Sequence, residues 1–537
     1  MEAEKSKRRR FLRNTVLLTL TSLVMRTIGV KYRVWLNEGI GAAGMGLYEL
    51  VMSVYSLTVT FASSGLGLAS SRLTAEAAER GSGREIRSAV RKCAAVGIVT
   101  GLFSALFLFL FAGPVGRGWL GDARTVSSLR LLGVSMPFVA LSTVLGGYFS
   151  AVGRVARSAG AGFAEQVFKI GLVGFLLKRL LPYGTEYACL AVVAGTAAGE
   201  IFGALLSLVL YFSDLRRLPK EGRVRAGLWG RLLSVTVPVA LTAWVRSALT
   251  TVEHILIPAG LKKAGAGHEE ALASYGIFSG MTLPVVFFPA SLVYSMTGLM
   301  IPDLAARKEA GDTVGIRSVC ERFFRFTLAY GILSAAVLVS FARPLCAAIY
   351  GNPAAGEYLA LTAPLIPVMY LDTATDSMLK GLGEQLYCMK VNLCDAAASV
   401  VLVWLLVPRF GVNGYILVIY LTEIFNAAFS IARLLSLTDI RPPISGTLLY
   451  PLAASAFSVA AARAAGAYLF RSFPPAASMV ASIALTVGVY ALIQAGGTRR
   501  RKEPGGSGKA RSRAGEPVRR KKGLSELSGK STGKVDF

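Results

Sequence analysis

Residues 22–36 read SLVMRTIGVKYRVWL, an apolar run interrupted by Arg26, Lys31 and Arg33. A cation at the centre of a membrane helix costs roughly 2.5–3.5 kcal/mol on insertion scales, so where these groups point decides what the helix packs against. Seven residues make almost two turns, which puts Ser22, Arg26, Gly29 and Arg33 in one stripe. Lys31 points elsewhere, toward an interface. Leu23, Val24, Ile28, Val30 and Val34 cover the remaining surface. A cationic stripe of this kind must turn to a water-filled cavity or an acidic partner rather than to lipid.

The rest of the chain repeats the apolar theme. Of its 537 residues 53% are hydrophobic and 17% charged, against about 25% charged in a soluble domain. Apolar runs of about 20 residues recur almost to residue 495. The first is followed directly by further spans and lacks a small-residue cleavage site, so it reads as a span and not as a signal peptide. The net charge of +27 gathers in KSKRRR near the start, in alternate connecting segments and in the tail. That distribution follows the positive-inside rule and argues against nucleic-acid binding. The six cysteines lie in or beside apolar runs, and there are only two histidines, so no disulfide framework, metal site or cofactor is expected.

Fourteen spans emerge: 11–36, 46–71, 93–113, 129–150, 160–181, 187–212, 230–257, 273–300, 322–342, 358–382, 386–407, 412–434, 447–470 and 475–495. The charge asymmetry predicts that both termini are cytoplasmic. A faint repeat links AERG (78–81) to KEAG (308–311) and GYFSAVGR (147–154) to LKGLGEQ (379–385), each about 230 residues apart. The expected fold is thus an all-α polytopic membrane protein with two pseudo-symmetric six-helix lobes, related by an axis along the membrane normal, and two C-terminal helices. Its parts are a basic N-terminus (1–10), an N-lobe (11–212), a linker (213–229), a C-lobe (230–434), two further spans (435–495) and a basic tail (496–537). The tail should be disordered, with electrostatic attachment to anionic membrane lipids as one reading and simple cytoplasmic retention as the other. GLSELSGKS (523–531) is one residue too long for a phosphate-binding loop and lacks a preceding strand.

Other ionisable groups sit inside or at the ends of spans. They are Arg72, the Glu165–Lys169 pair, Glu200, Arg246 and Glu253 on one face, Asp372 and Asp376 with Lys380, Asp395, and Glu423. Interhelical pairing is one reading of them all. For Arg26 and Arg33 the other is an anion receptor, because a guanidinium binds phosphate through two parallel bonds. For Asp372 and Asp376 it is a coupling cation or proton. Prolines at 137, 238, 284, 289, 364 and 367 lie within spans and supply bending points.

MRTIGVKYRVWLNEGIGAAGMGLYEL (25–50), SSGLGLASSRLTAE (63–76), GGYFSAVGR (146–154) and EQVFKI (165–170) form a recognisable set. So do YGIFSGMTLPVVFFPASL (275–292) with IPDLA, YLALTAPLIPVMYL (358–371) with LKGLGEQ, and VPRFGVNGY (407–415). Over roughly residues 11–435 the chain resembles the polysaccharide-transport branch of the multidrug/oligosaccharidyl-lipid/polysaccharide exporter superfamily. It looks most like stage V sporulation protein B-like members and is more distantly similar to lipid II flippases. It departs from the family pattern at Gly67, where a proline is usual, at Gly146, where an arginine is common, and at Glu253, where an aspartate is frequent. The resemblance implies a non-enzymatic flippase of the bacterial cytoplasmic membrane. It would move an undecaprenyl phosphate- or pyrophosphate-linked saccharide or peptidoglycan precursor by alternating access of the two lobes. Arg26, Arg33, Arg72, Arg246 and Lys169 are then the candidate head-group residues. Glu253, Asp372 and Asp376 are candidates for gating or for coupling to H+ or Na+. The alternatives are a multidrug or cation antiporter of the same superfamily, which would need cavity acids and few cations, and a membrane glycosyltransferase.

Overall fold

The computed structural model describes the backbone of residues 2–216, 221, 226–440, 445–468 and 473–502, and within them the side chains from Val24 to Gly496 other than that of Arg26. Among the described residues every regular element is helical. The first half carries α1 (Glu2–Ser63), α2 (Leu66–Glu79), α3 (Gly83–Pro114), α4 (Thr125–Ala151), α5 (Val155–Leu180) and α6 (Thr185–Leu215). There follow α7 (Leu228–Lys263), α8 (His268–Tyr275), α9 (Leu283–Glu309), α10 (Thr313–Ser340), α11 (Ala342–Tyr350) and α12 (Pro353–Thr362). The last are α13 (Ile366–Gly381), α14 (Gln385–Thr438), α15 (Tyr450–Tyr468) and α16 (Pro475–Lys502). Residues Met1–Tyr490 form one compact unit and Ala491–Phe537 a second. Residues 217–220 and 222–225 of the expected linker 213–229, and 503–537 of the tail 496–537, lie outside the described residues. The expected basic segment 1–10 lies at the start of α1, which begins at Glu2.

Among the described residues twelve helical stretches are long and apolar enough to cross a membrane. Two of them exceed 50 residues, and each is bent at a glycine. Gly41 in α1 has φ 70° and ψ 178°; Gly411 in α14 has φ 59° and ψ −138°. Nothing stands within 4 Å of a Cβ placed at either site, so glycine is needed there for the left-handed backbone and not for space. The fourteen crossings expected from the sequence are reached only by counting each limb of α1 and α14 separately.

The repeat has a structural counterpart at the helix ends. Gly81 (φ 66°) and Gly311 (φ 69°) close α2 and α9, and Gly153 (φ 70°) and Gly383 (φ 83°) close α4 and α13. In each case the next N–H reaches back to a carbonyl five residues earlier: Ser82 to Ala77 at 3.1 Å, Asp312 to Arg307 at 3.0 Å, Arg154 to Phe149 at 2.9 Å and Glu384 to Leu379 at 2.9 Å. This is a left-handed glycine stop with its longer bond satisfying a terminal carbonyl. The same residue after the glycine then caps the next helix in the first pair. Ser82 accepts from the Glu85 N–H, and Asp312 accepts from the Gly315 N–H.

Packing brings the two halves of the chain together. The largest apolar core runs from Tyr32 and Leu36 of α1 through α3–α6 and on to Ile257, Leu272, Phe278, Val403 and Tyr415. A second core lies among α9–α14, and a third among α2, α3, α4 and α6 with Leu228 and Leu232 of α7. Thus α7 packs on helices of the first half as well as on α14, and α8 packs on α1. Small residues set the closest approaches, as expected where lipid offers no hydrophobic drive between helices. Gly195, Gly199 and Gly203 form one face of α6 and seat Val173, Lys169 and Glu165 of α5. A Cβ at Gly195 would lie 2.2 Å from Val173 Cγ2, and one at Gly203 2.2 Å from Glu165 Oε2.

Candidate translocation site

The bend at Gly41 folds α1 back beside itself, and this decides the surroundings of Arg33. Its Nη1 donates to Glu49 Oε1 at 2.6 Å, 16 residues along the chain and on the other limb. The Glu49 side chain is 16% exposed and that of Arg33 36%. Tyr48 and Tyr350 stand close to the guanidinium. The stripe of span one carries no acid of its own. The structure supplies one from the next limb, so Arg33 is a compensated cation. The side chain of Arg26 lies outside the described residues.

Across from Tyr32, Lys169 places its ammonium 5.8 Å from the ring centre. Glu165 and Glu200 are its acidic neighbours, and Arg33 is also within electrostatic reach. Tyr55 lies next to Glu200. Arg33, Glu49, Lys169, Glu165 and Glu200 therefore make one alternating-charge cluster on α1, α5 and α6. Arg72 and Arg246, also proposed from sequence, do not join it. Arg72 bonds Glu76 at 3.3 Å, whose other oxygen pairs with Arg231 of α7. Arg246 is exposed and interacts with Asp395 of α14.

The acids of the second half form their own group. Asp395 senses Glu253 and Arg246, while Asp372 senses Asp376 first and also Asp395. Glu423 senses Asp372 and Asp395. Asp376 is already engaged, accepting from Lys380 at 2.5 Å, but Asp372 Oδ1 and Asp395 Oδ1 are buried without a hydrogen-bond partner among the described residues. No group of three or more His, Cys, Asp or Glu among the described residues is arranged to hold a metal ion.

One end of the bundle is fastened by a polar clasp that the sequence did not reveal. Asp122, in the turn between α3 and α4, accepts from His268 Nε2 at 2.9 Å and from Arg124 Nη2 at 2.7 Å. Arg124 also bonds Glu269 at 2.9 Å, so the clasp ties the α3–α4 turn to the start of α8. Burial alone would raise the Asp122 carboxyl. The bonds donated by the Arg124 side chain, His268 and the Arg124 backbone outweigh it and hold the group below the usual carboxylate range. A depressed folded-state value contributes stability in full above the unfolded value of about 3.9 and loses it as pH falls through the folded one. Asp122→Asn should cost about 2 kcal/mol, because it removes the near-buried carboxylate that Arg124 and His268 share. Thermal unfolding of the detergent-solubilised protein measures this, and the gap to wild type should begin to narrow below about pH 4 and close once the pH is under the depressed folded-state value.

A family model described as polysaccharide biosynthesis protein matches residues 11–306. The chain belongs to this family. A second model, MatE, matches residues 264–405, and together they place this polysaccharide biosynthesis family member in the multidrug/oligosaccharidyl-lipid/polysaccharide exporter superfamily. Stage V sporulation protein B of Bacillus subtilis (strain 168) is 28% identical over 421 residues, covering 76% of this chain and 80% of that protein. Lipid II flippase MurJ of the same organism is 21% identical over 443 residues, covering 76% and 79%. Among solved structures, a lipid II flippase MurJ in an inward closed conformation aligns with a TM-score of 0.65 at 14% identity, covering 91% of this chain and all of that one. An inward-facing multidrug resistance MATE family transporter aligns with a TM-score of 0.58 at 14% identity, covering 78% and 99%. The family member is therefore a multi-pass membrane protein of a transporter superfamily, with the fold of those two structures.

Proposed function

We propose that the protein is a flippase for a lipid-linked saccharide or peptidoglycan precursor in the bacterial cytoplasmic membrane, with both termini cytoplasmic. The lobes 11–212 and 230–434 would rock about a central cavity. The observation that carries the reading is Arg33, a guanidinium held by a single bond to Glu49 beside Lys169, in a family matched across 11–306. An undecaprenyl-linked phosphate would take the place of Glu49 on Arg33, exchanging one anionic partner for another. Binding needs no covalent step. Lys169 would add a second contact, Arg72 and Arg246 rim positions, and Arg26 the stripe below. Relationship to stage V sporulation protein B suggests a role in envelope assembly during sporulation. The orphan oxygens of Asp372 and Asp395, with Glu253 nearby, suit a proton-coupled movement of the second half.

The four carboxylates Glu253, Asp372, Asp395 and Glu423 favour a second reading, export of organic cations. Purified protein in proteoliposomes separates the two. A fluorescent undecaprenyl-linked sugar should pass to the opposite leaflet while a fluorescent organic cation is not moved. Movement of the cation alone would make the antiporter reading the correct one.

A further inference from the structure

Ion pairs cross from the first half of the chain to α7 and α8 at two places. At the start of α7, Arg231 bonds Glu76 of α2. Beyond the end of α7, His268 of α8 bonds Asp122 at 2.9 Å, and Arg124 Nη2 donates to Glu269 at 2.9 Å. The 32 residues of α3 run from the turn after Glu76 toward the turn that holds Asp122. At about 1.5 Å per residue they set the two clusters roughly 48 Å apart. Between them α7 meets α1 through uncharged contacts. Thr251 Oγ1 donates to the Ser53 carbonyl at 3.1 Å, and the Trp244 ring stacks on Phe61 with centres 4.5 Å apart.

The two clusters share a plan. Each has an acid of the first half with one partner on its own side and one across. Glu76 has Arg72, four residues back on α2, at 3.3 Å. Asp122 has Arg124, two residues on in the same turn, at 2.7 Å. Loss of the partner across therefore leaves neither carboxylate bare, and a bare buried charge is what makes breaking an ion pair expensive. The Glu76 and Arg231 side chains are also 29% and 28% exposed, so water reaches both as they separate. Asp214 is built differently: fully buried, it holds Arg154 and Arg157, both of the first half, and nothing in that joint has to part.

We propose that the two clusters are alternating latches. Separation of Arg231 from Glu76 opens one end of the interface while the Asp122 clasp holds the other, and separation of His268 and Glu269 does the reverse, with the middle of α7 as the pivot. Both are fastened in this structure. The inference rests on the rocking of the two lobes proposed above and on no particular substrate.

Maleimide labelling of the full-length protein in detergent, freed of its native cysteines and given one reporter, tests it. Thr236→Cys reports the Arg231 end: Thr236 is buried, and a Cβ at Gly65 would lie 2.7 Å from its carbonyl oxygen. Met45→Cys reports the clasp end: Met45 is fully buried next to Gly46, which abuts the Leu272 carbonyl of α8. Arg231→Gln should raise labelling of Thr236→Cys about fivefold and leave Met45→Cys protected. His268→Gln/Glu269→Gln should expose Met45→Cys and leave Thr236→Cys protected. Its positions are partly exposed, and it decides the matter if Arg231→Gln does not fold. Arg231→Lys, which keeps the charge, should label like the parent. Labelling that rises at both reporters together, or fails to rise at the end whose pairs were removed, overturns the proposal. The labelling needs no substrate, so that result strikes the latches and leaves the lipid transport assay to judge the flippase reading.

Discussion

Arg33→Gln should abolish transport and lower stability together, and adding Glu49→Gln should restore only the stability. The two side chains meet at 2.6 Å with Glu49 the more enclosed. Removing one member of a buried ion pair costs about 3–5 kcal/mol, because the other is left uncompensated. Arg33 is partly exposed, so a loss of about 2 kcal/mol is the expected size after discounting for solvent. The double variant removes both charges and with them the penalty. It does not return a guanidinium to the cavity, so a phosphate would still lack its receptor. Glu49→Gln alone should hold the lipid-linked substrate more tightly, since the carboxylate no longer competes for Arg33. Thermal unfolding in detergent and translocation of a labelled lipid-linked sugar in proteoliposomes measure the two halves of the prediction. Normal transport by Arg33→Gln/Glu49→Gln would reduce Arg33 to a counter-ion of Glu49 and remove the residue on which the flippase reading stands.

That Arg33 has a partner at all could not be read from span one. A helix stripe reports neighbours three, four and seven residues away, whereas Glu49 lies 16 residues on and is reached only because Gly41 turns the chain. The letters YEL at 48–50 held the signal, an acid within an apolar limb. Much else was legible because it is local. Apolar length gave the helices, and the glycine stops at 81, 153, 311 and 383 are single-residue features with a fixed backbone requirement. The Asp122–His268 clasp was not legible, since its members lie 146 residues apart in the chain. Periodicity fixes which face a residue occupies, and only packing fixes what that face meets.

Packing is also where a single methyl group should have its greatest effect. Gly276→Ala, and more strongly Gly276→Val, should hold open the seam between α1 and the segment joining α8 to α9. A Cβ at Gly276 would lie 2.2 Å from the Ala42 carbonyl oxygen and 2.5 Å from the Gly46 nitrogen. A Cβ at Gly46 would meet the Leu272 carbonyl oxygen at 2.0 Å. Backbone faces backbone at each point, so no side chain is free to yield. Overpacking costs about 1–3 kcal/mol where side chains adjust, and this seam belongs at the upper end. On the proposed rocking of the two lobes, this seam would part and re-form. A penalty of about 3 kcal/mol on the closed arrangement shifts the population roughly a hundredfold, at about 1.4 kcal/mol per factor of ten. Met45 is fully buried against Gly280 in the closed seam. Met45→Cys in a chain otherwise free of cysteine should therefore resist a membrane-impermeant maleimide and become reactive when Gly276→Ala is added, with transport falling as reactivity rises. If Met45→Cys stays protected in the Gly276→Ala chain and transport is normal, the seam is static and the moving interface lies elsewhere between the halves.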